Sequence, residues 1–108
     1  MNVELLREYC LTKANVEEAF PFGDTNLVLK VNGKIFLIIA LDTQPLQFNA
    51  KCNPDEAIEL RAAYPTAVLP GYHMNKKHWN TIIVNGILSS QQLKKIIDNS
   101  YQLVQLKK

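Results

Sequence analysis

Apolar residues recur along this chain first at helical spacing, then at strand spacing, then at helical spacing again, and the changes of period predict an order of elements. Leu5, Leu6, Tyr9 and Cys10 fall on one helix face. Asn2 stands where its side chain can accept from the first free amides, and Glu4 suits the positive end of the helix dipole. This helix is expected to end near Lys13. Residues 14–25 read as a connector, in which Pro21 breaks regular structure and Phe20 and Phe22 are expected to plug the edge of the core.

Two apolar runs, 26–31 and 34–41, flank Asn32-Gly33. Asn-Gly between such runs signals a tight hairpin, because a type I′ turn needs positive φ at both central positions. A two-residue loop predicts the cross-strand pairs Val31 with Lys34, Leu29 with Phe36, and Leu27 with Ile38. The second run is apolar on both faces, so it is expected at the centre of a sheet. Residues 46–51 read as a third strand, with Leu46, Phe48 and Ala50 on one face and Gln47, Asn49 and Lys51 on the other. Asn53-Pro54-Asp55-Glu56 starts a second helix with a cap and a proline at its first position, and the helix must stop before Pro65. A short strand is expected near Val68 and another over 79–84, followed by a turn at Asn85-Gly86. Ser89 caps a last helix with Gln92 in the capping-box position. Leu93, Ile96, Ile97, Tyr101 and Val104 form its buried stripe.

Hairpins dominate this order, and both terminal helices carry an apolar stripe. The predicted fold class is therefore α+β: a two-layer sandwich of one mainly antiparallel sheet of four to six strands, with the N- and C-terminal helices on one face. A chain of 108 residues forms one domain, 1–108, with one core. Its 47% hydrophobic and 20% charged residues are those of an ordinary globular protein, and disorder is expected only at Lys107-Lys108. The charged start of the chain does not read as a secretory signal, and the longest apolar run, 35–41, is too short to span a bilayer. Cys10 and Cys52 are isolated and form no metal-ligand spacing, so two buried thiols in a reducing cytoplasm are expected rather than a disulfide.

Net charge is only +2, but it is unevenly spread: residues 1–59 hold nine acids and five bases, and residues 60–108 hold one acid and seven bases. No carboxylate occurs between Glu59 and Asp98. Within that stretch, residues 70–79 read Pro-Gly-Tyr-His-Met-Asn-Lys-Lys-His-Trp. A positive, aromatic, donor-rich segment suits an anionic partner even in a nearly neutral protein.

Phe20-Pro21-Phe22-Gly23, Val31-Asn32-Gly33-Lys34 with Phe36, Pro54-Asp55-Glu56-Ala57, Leu60-Arg61, Tyr64-Pro65 and above all residues 70–79 follow one another in the order seen in the MmcQ/YjbR family of small bacterial proteins, which this chain resembles over nearly its whole length. The resemblance implies a fold similar to frataxin-like domains, also described as a double-wing DNA-binding type. Asn32-Gly33 and Asn85-Gly86 would then be the wing tips. Asn85 stands where the family pattern has Asp, and it serves a turn equally well. The iron role of frataxins is not carried over, because Glu4 and Glu8 on the first helix, with Glu17 and Glu18 beyond it, are interrupted by Arg7 and Lys13 and make no convergent carboxylate site.

Each candidate has a plain structural reading beside the functional one. His73 and His78 are five apart, which fits neither a helical nor a strand metal pair, so no metal is expected. Ser89 and Ser90 read as helix-start residues, no nucleophile elbow or phosphate-cradling glycine loop occurs, and neither a catalytic residue nor a cofactor is expected. Trp79 is expected to begin a strand and pack in the core, Asn75 to cap the turn, and the histidines to bond backbone. Lysines seldom have structural tasks, so Lys76 and Lys77, beside Arg61, with His73, Asn75, His78 and Lys51, form the expected nucleic-acid-binding set. The expected partner is duplex DNA held through its phosphates, chiefly on the resemblance; a monomer without membrane contact is expected. The alternative is a non-catalytic protein- or small-ligand-binding module using a histidine-bearing groove between residues 70–79 and the sheet. A third class, an enzyme using His73 or His78 as acid or base, lacks a visible partner group.

Overall fold

A computed structural model of the chain describes residues 1–72 and 74–106. The elements follow as α1 (Val3–Leu11), β1 (Val16–Ala19), β2 (Asn26–Val31), β3 (Lys34–Ala40), β4 (Gln47–Lys51), α2 (Pro54–Ala63), β5 (Val68–Pro70), β6 (Trp79–Ile83) and α3 (Ser90–Gln105). The six strands form one sheet in the order β1-β2-β3-β4-β6-β5, and every neighbouring pair is antiparallel. The protein is thus α+β, and β3 sits near the sheet centre, as its two apolar faces require.

Local signals hold at the helix ends. Asn2 Oδ1 accepts from Leu5 N at 2.9 Å, Asn53 Oδ1 accepts from Asp55 N at 3.0 Å, and Ser89 and Gln92 complete a reciprocal capping box. The first helix ends at Leu11, slightly before the expected Lys13. The hairpin tip has φ of 51° at Asn32 and 80° at Gly33, as a type I′ turn demands.

All three helices pack on one face. Leu6 and Cys10 of α1 join Leu93, Ile97, Tyr101 and Val104 of α3 in a core over Leu29, Leu37, Ile39, Phe48 and Ile82, with Leu60 and Tyr64 at its edge. A polar clamp adds direction to this packing. Asp98 of α3 accepts from Tyr9 Oη at 2.7 Å and Lys13 Nζ at 2.5 Å, and Tyr101 Oη donates to Ala14 O at 2.6 Å. Burial opposes charge on Asp98, but the hydrogen bonds from Lys13 and Tyr9 and the charges of Lys13 and Lys94 outweigh it and lower the carboxyl's pKa. The same bond to Asp98, with burial, raises the Tyr9 phenol to about 12. Ser100, fully buried, donates to Phe36 O and accepts from Lys51 N at 2.8 Å, so it joins α3 to two strands at once.

Four expectations need correction. Residues 16–19 form an edge strand, not a connector: Glu18 is a poor strand former, but it is held there by a bidentate pair with Arg7 of α1, at 2.5 and 2.7 Å. The hairpin register shifts between Leu29 and Lys30, so Leu29 faces Leu37 and Leu27 faces Ile39. The irregularity lets Phe36 and Leu37 both reach full burial, and the Phe36 ring meets Tyr101 edge-on at 5.4 Å. Phe20 and Phe22 do not plug the core; they are 53% and 59% exposed. Asn85-Gly86 joins a strand to a helix instead of tipping a second hairpin: Asn85 accepts from Ile87 N and donates to Thr66 O.

Candidate functional site

The candidate site is built where the stretch 70–79 returns across the end of the sheet. Gly71 N donates to Trp79 O at 3.0 Å, closing the loop at its base. A methyl group on Gly71 would lie 2.9 Å from Trp79 Cβ and 3.1 Å from Met74 Cβ, so glycine is required there by space. Asn75 folds the far side: its Oδ1 accepts from Lys77 N, and its carbonyl accepts from both His78 N and Trp79 N. This is the turn cap expected of it. His78 enters through its backbone, its carbonyl accepting from Cys52 N at 2.7 Å.

The basic residues do converge on this loop, but two of them have structural work. Arg61 donates from Nε to Ala57 O at 3.2 Å and from its terminal nitrogen to Lys76 O at 2.8 Å, fastening α2 to the loop. Lys76 Nζ donates to Gly71 O at 3.1 Å across the loop. Lys77 is exposed, and Lys51 lies opposite Trp79 in the register of β4 and β6. Among the described residues, Glu56 and Glu59 form no ion pair with Arg61, Lys76 or Lys77. His73 lies outside the described residues, as do Lys107 and Lys108.

Trp79 opens β6 as expected, but it is half-buried instead of lying in the core. Strand alternation explains this. Asn80 and Ile82 take the helix-side positions, and Asn80 is only 1% exposed. Its Nδ2 reaches toward Ala57 O at 3.5 Å, and its Oδ1 is buried without a partner among the described residues.

Trp79 shares the opposite face of the sheet with the polar side of β4. Register aligns Val28, Ile38, Asn49, Thr81 and Leu69 in one row across five strands of that face. Over its middle lies a groove of ≈ 510 Å³. Ile38 and Ala40 form the apolar floor, and Asn26, Gln47, Asn49 and Thr81 supply polar groups. Phe22 reaches it from the 20–25 turn, and Tyr72 and Met74 from the loop. The Thr81 hydroxyl accepts from Tyr72 N at 3.0 Å and donates to Asn49 Oδ1 at 2.5 Å, so the loop backbone, the hydroxyl and the amide are oriented in series. Thr43 Oγ1, also in the lining, is buried without a hydrogen-bond partner among the described residues.

The polar side of the groove was signalled in the sequence by the alternation of Gln47, Asn49 and Lys51, whereas Phe22, expected at the core edge, gave no such signal. Thr81, Thr43 and Asn26 gave no such signal, because a lone Thr or Asn in an apolar run reads equally well as filler. Neither cysteine offers nucleophilic chemistry: burial raises Cys10 to about 12 and Cys52 to about 11, and both thiols are unpaired. Among the described residues no three His, Cys, Asp or Glu gather as a metal site, and no helix is long and apolar enough to cross a membrane.

The comparisons with known proteins agree with this fold. The chain is similar to the uncharacterized protein YbdF of Escherichia coli O157:H7, 34% identical over 94% of this chain and 82% of that protein. It is also similar to the uncharacterized protein YjbR of Escherichia coli K12, 28% identical over 94% of this chain and 86% of that one. The crystal structure of Deinococcus radiodurans protein DR2400, a DUF419 domain, superimposes with a TM-score of 0.94 at 35% identity, over 98% of this chain and 80% of that one. A Pseudomonas syringae protein shares the fold at a TM-score of 0.78 and 23% identity, over 96% of this chain and 99% of that one. With residues 11–103 matching the YjbR family model, the chain belongs to the YjbR family.

Proposed function

We propose that this protein is a non-catalytic ligand-binding module whose site is the groove on the helix-free face of the sheet. The observation that carries this reading is a ready-made polar device on an apolar floor. The Thr81 hydroxyl is held between Tyr72 N and Asn49 Oδ1, and nearby Thr43 Oγ1 has no partner among the described residues. A buried hydroxyl without a partner costs about 1–3 kcal/mol, so the lining carries a polar group that the described fold leaves unsatisfied. At ≈ 510 Å³ the groove falls in the range of roughly 300–1,000 Å³ typical of small-ligand sites. The only ionisable groups among the described lining residues are Asp42 and the Tyr72 phenol, with no acid–base pair, which supports binding without catalysis.

Amide-resolved NMR with a panel of small polar aromatics and aliphatic amides tests this reading. Saturable shifts of Ile38, Gln47 and Thr81 are expected. Shifts confined to other surfaces would overturn the reading.

A second reading, contact with DNA phosphates through Lys76, Lys77, Arg61 and Lys51, is favoured by one observation. These bases meet around one loop, and among the described residues Glu56 and Glu59 form no ion pair with Arg61, Lys76 or Lys77. Affinity for duplex DNA should then fall with salt, and each phosphate that Lys76→Ala or Lys77→Ala leaves unneutralised should lower the log–log slope by about 0.9. A salt-independent affinity, or none, removes that reading. We take the protein as a cytoplasmic monomer; two unpaired thiols suit a reducing compartment.

A further inference from the structure

We infer that the groove takes a planar nitrogen heterocycle of nucleobase type, neutral or cationic, stacked against Phe22 or Tyr72 and read at its edge by side-chain amides. The inference rests on the ligand-binding reading above and names the chemistry of its occupant. Charge gives the first constraint. Asp42 is the one formally charged residue among those described in the lining, and no lysine or arginine joins it. An anionic group placed inside would meet a carboxylate with no compensating cation, so phosphates and carboxylates are poor occupants.

The polar lining gives the second constraint. Asn49 Oδ1 is engaged by Thr81, which fixes the amide and leaves Nδ2 as its donor; Asn26 and Gln47 bring further amides. Amides both donate and accept, and so match the mixed donor and acceptor edge of a heterocycle, as a hydrocarbon cannot. Thr43 Oγ1 adds a hydroxyl without a partner among the described residues. The third constraint is aromatic. Phe22 and Tyr72 line this groove yet remain 59% and 71% exposed. Exposed rings beside polar amides are stacking surfaces, and a planar π-system lies flat on their faces.

The loop that supplies Tyr72 continues within a few residues to Lys76 and Lys77. The same heterocycle can therefore arrive as a free nucleoside or as an unpaired base whose phosphates run toward those lysines. Titrating the whole protein with adenosine, cytidine and a short single-stranded oligonucleotide, followed by amide NMR, separates these sources. A saturated-ring diol serves as control. Both nucleosides are expected to shift Ile38, Gln47 and Thr81 saturably, and Tyr72→Ala to weaken them about tenfold while the fold, read by the remaining amides, is unchanged. Tighter, salt-sensitive binding of the oligonucleotide assigns the base to a strand; equal affinity assigns it to a free ligand. Asp42→Asn should weaken a cationic heterocycle more than a neutral one. If the saturated diol shifts the same residues as strongly, the heterocycle assignment falls while the groove reading stands. If the nucleosides and the control all leave the groove residues unmoved, and the general panel does too, both fall.

Discussion

The two faces of the sheet are made by alternate residues of the same strands, yet they are built to different ends. The helix-side face is closed: Leu29, Leu37, Ile39, Phe48 and Ile82 are buried under α1 and α3, and Ser100, its fully buried hydroxyl, is satisfied twice. Among the described residues, the outer face is covered by turns and by the loop of residues 70–79. Its apolar residues Val28 and Ile38 are also buried, but they adjoin Asn49, Thr81 and Gln47 and, among the described residues, a hydroxyl with no partner. The helix-covered side carries the core that holds the protein together, and the outer side carries an oriented polar pair, Thr81 with Asn49, beside the groove.

Phe36→Ala should be the most damaging change, because it empties the closed face where the ring meets Tyr101. Urea unfolding should lose about 3–5 kcal/mol. A loss near zero would mean that the two faces do not divide the labour in this way. Gly71→Ala tests the lip of the open face. Its added methyl would sit 2.9 Å from Trp79 Cβ, so about 1–3 kcal/mol of overpacking is expected, together with altered NMR shifts at Tyr72 and Thr81. Unchanged groove shifts would uncouple the loop from the groove.

Asp98 sharpens the comparison through pH. Its carboxyl is lowered in the folded protein, so its contribution is fully present above the unfolded value of about 3.9 and is lost as pH falls through the folded value. Asp98→Asn should cost about 0.2–1 kcal/mol at neutral pH, since the group is 43% exposed, and should flatten the acid limb of stability below about pH 4. An acid limb identical to that of the wild type would remove the clamp. The smallest effect belongs to Lys77→Ala, expected within about 0.5 kcal/mol of wild type. Lys76→Ala should cost about 0.5–1.5 kcal/mol through its bond to Gly71 O. Equal thermal shifts for the two lysines would show that this bond contributes nothing.

Much of the fold was legible because its signals are local. Asn2, Asn53 and Ser89 act within a few residues of themselves, Asn32-Gly33 dictates its own dihedrals, and the stripe of α3 needs only its own period. The site was legible only as a place. The stretch 70–79 was marked by composition and by resemblance to the YjbR family, and its basic residues do gather there. Their tasks were not readable, since a lysine that bonds Gly71 O looks the same in sequence as one facing solvent.

The sequence by itself determined the order of the elements other than β1, the helix starts, the tight hairpin and the α+β class, because each depends on interactions between near neighbours. Only the tertiary structure decided the edge strand, the shifted hairpin register, the outward face of Trp79 and the groove. Glu18 in β1 meets Arg7 of α1, the Phe36 ring meets Tyr101 of α3, and Thr81 joins the groove with Asn49 opposite it. Such partners are brought together from distant parts of the chain by packing, and no period or motif within one segment encodes them.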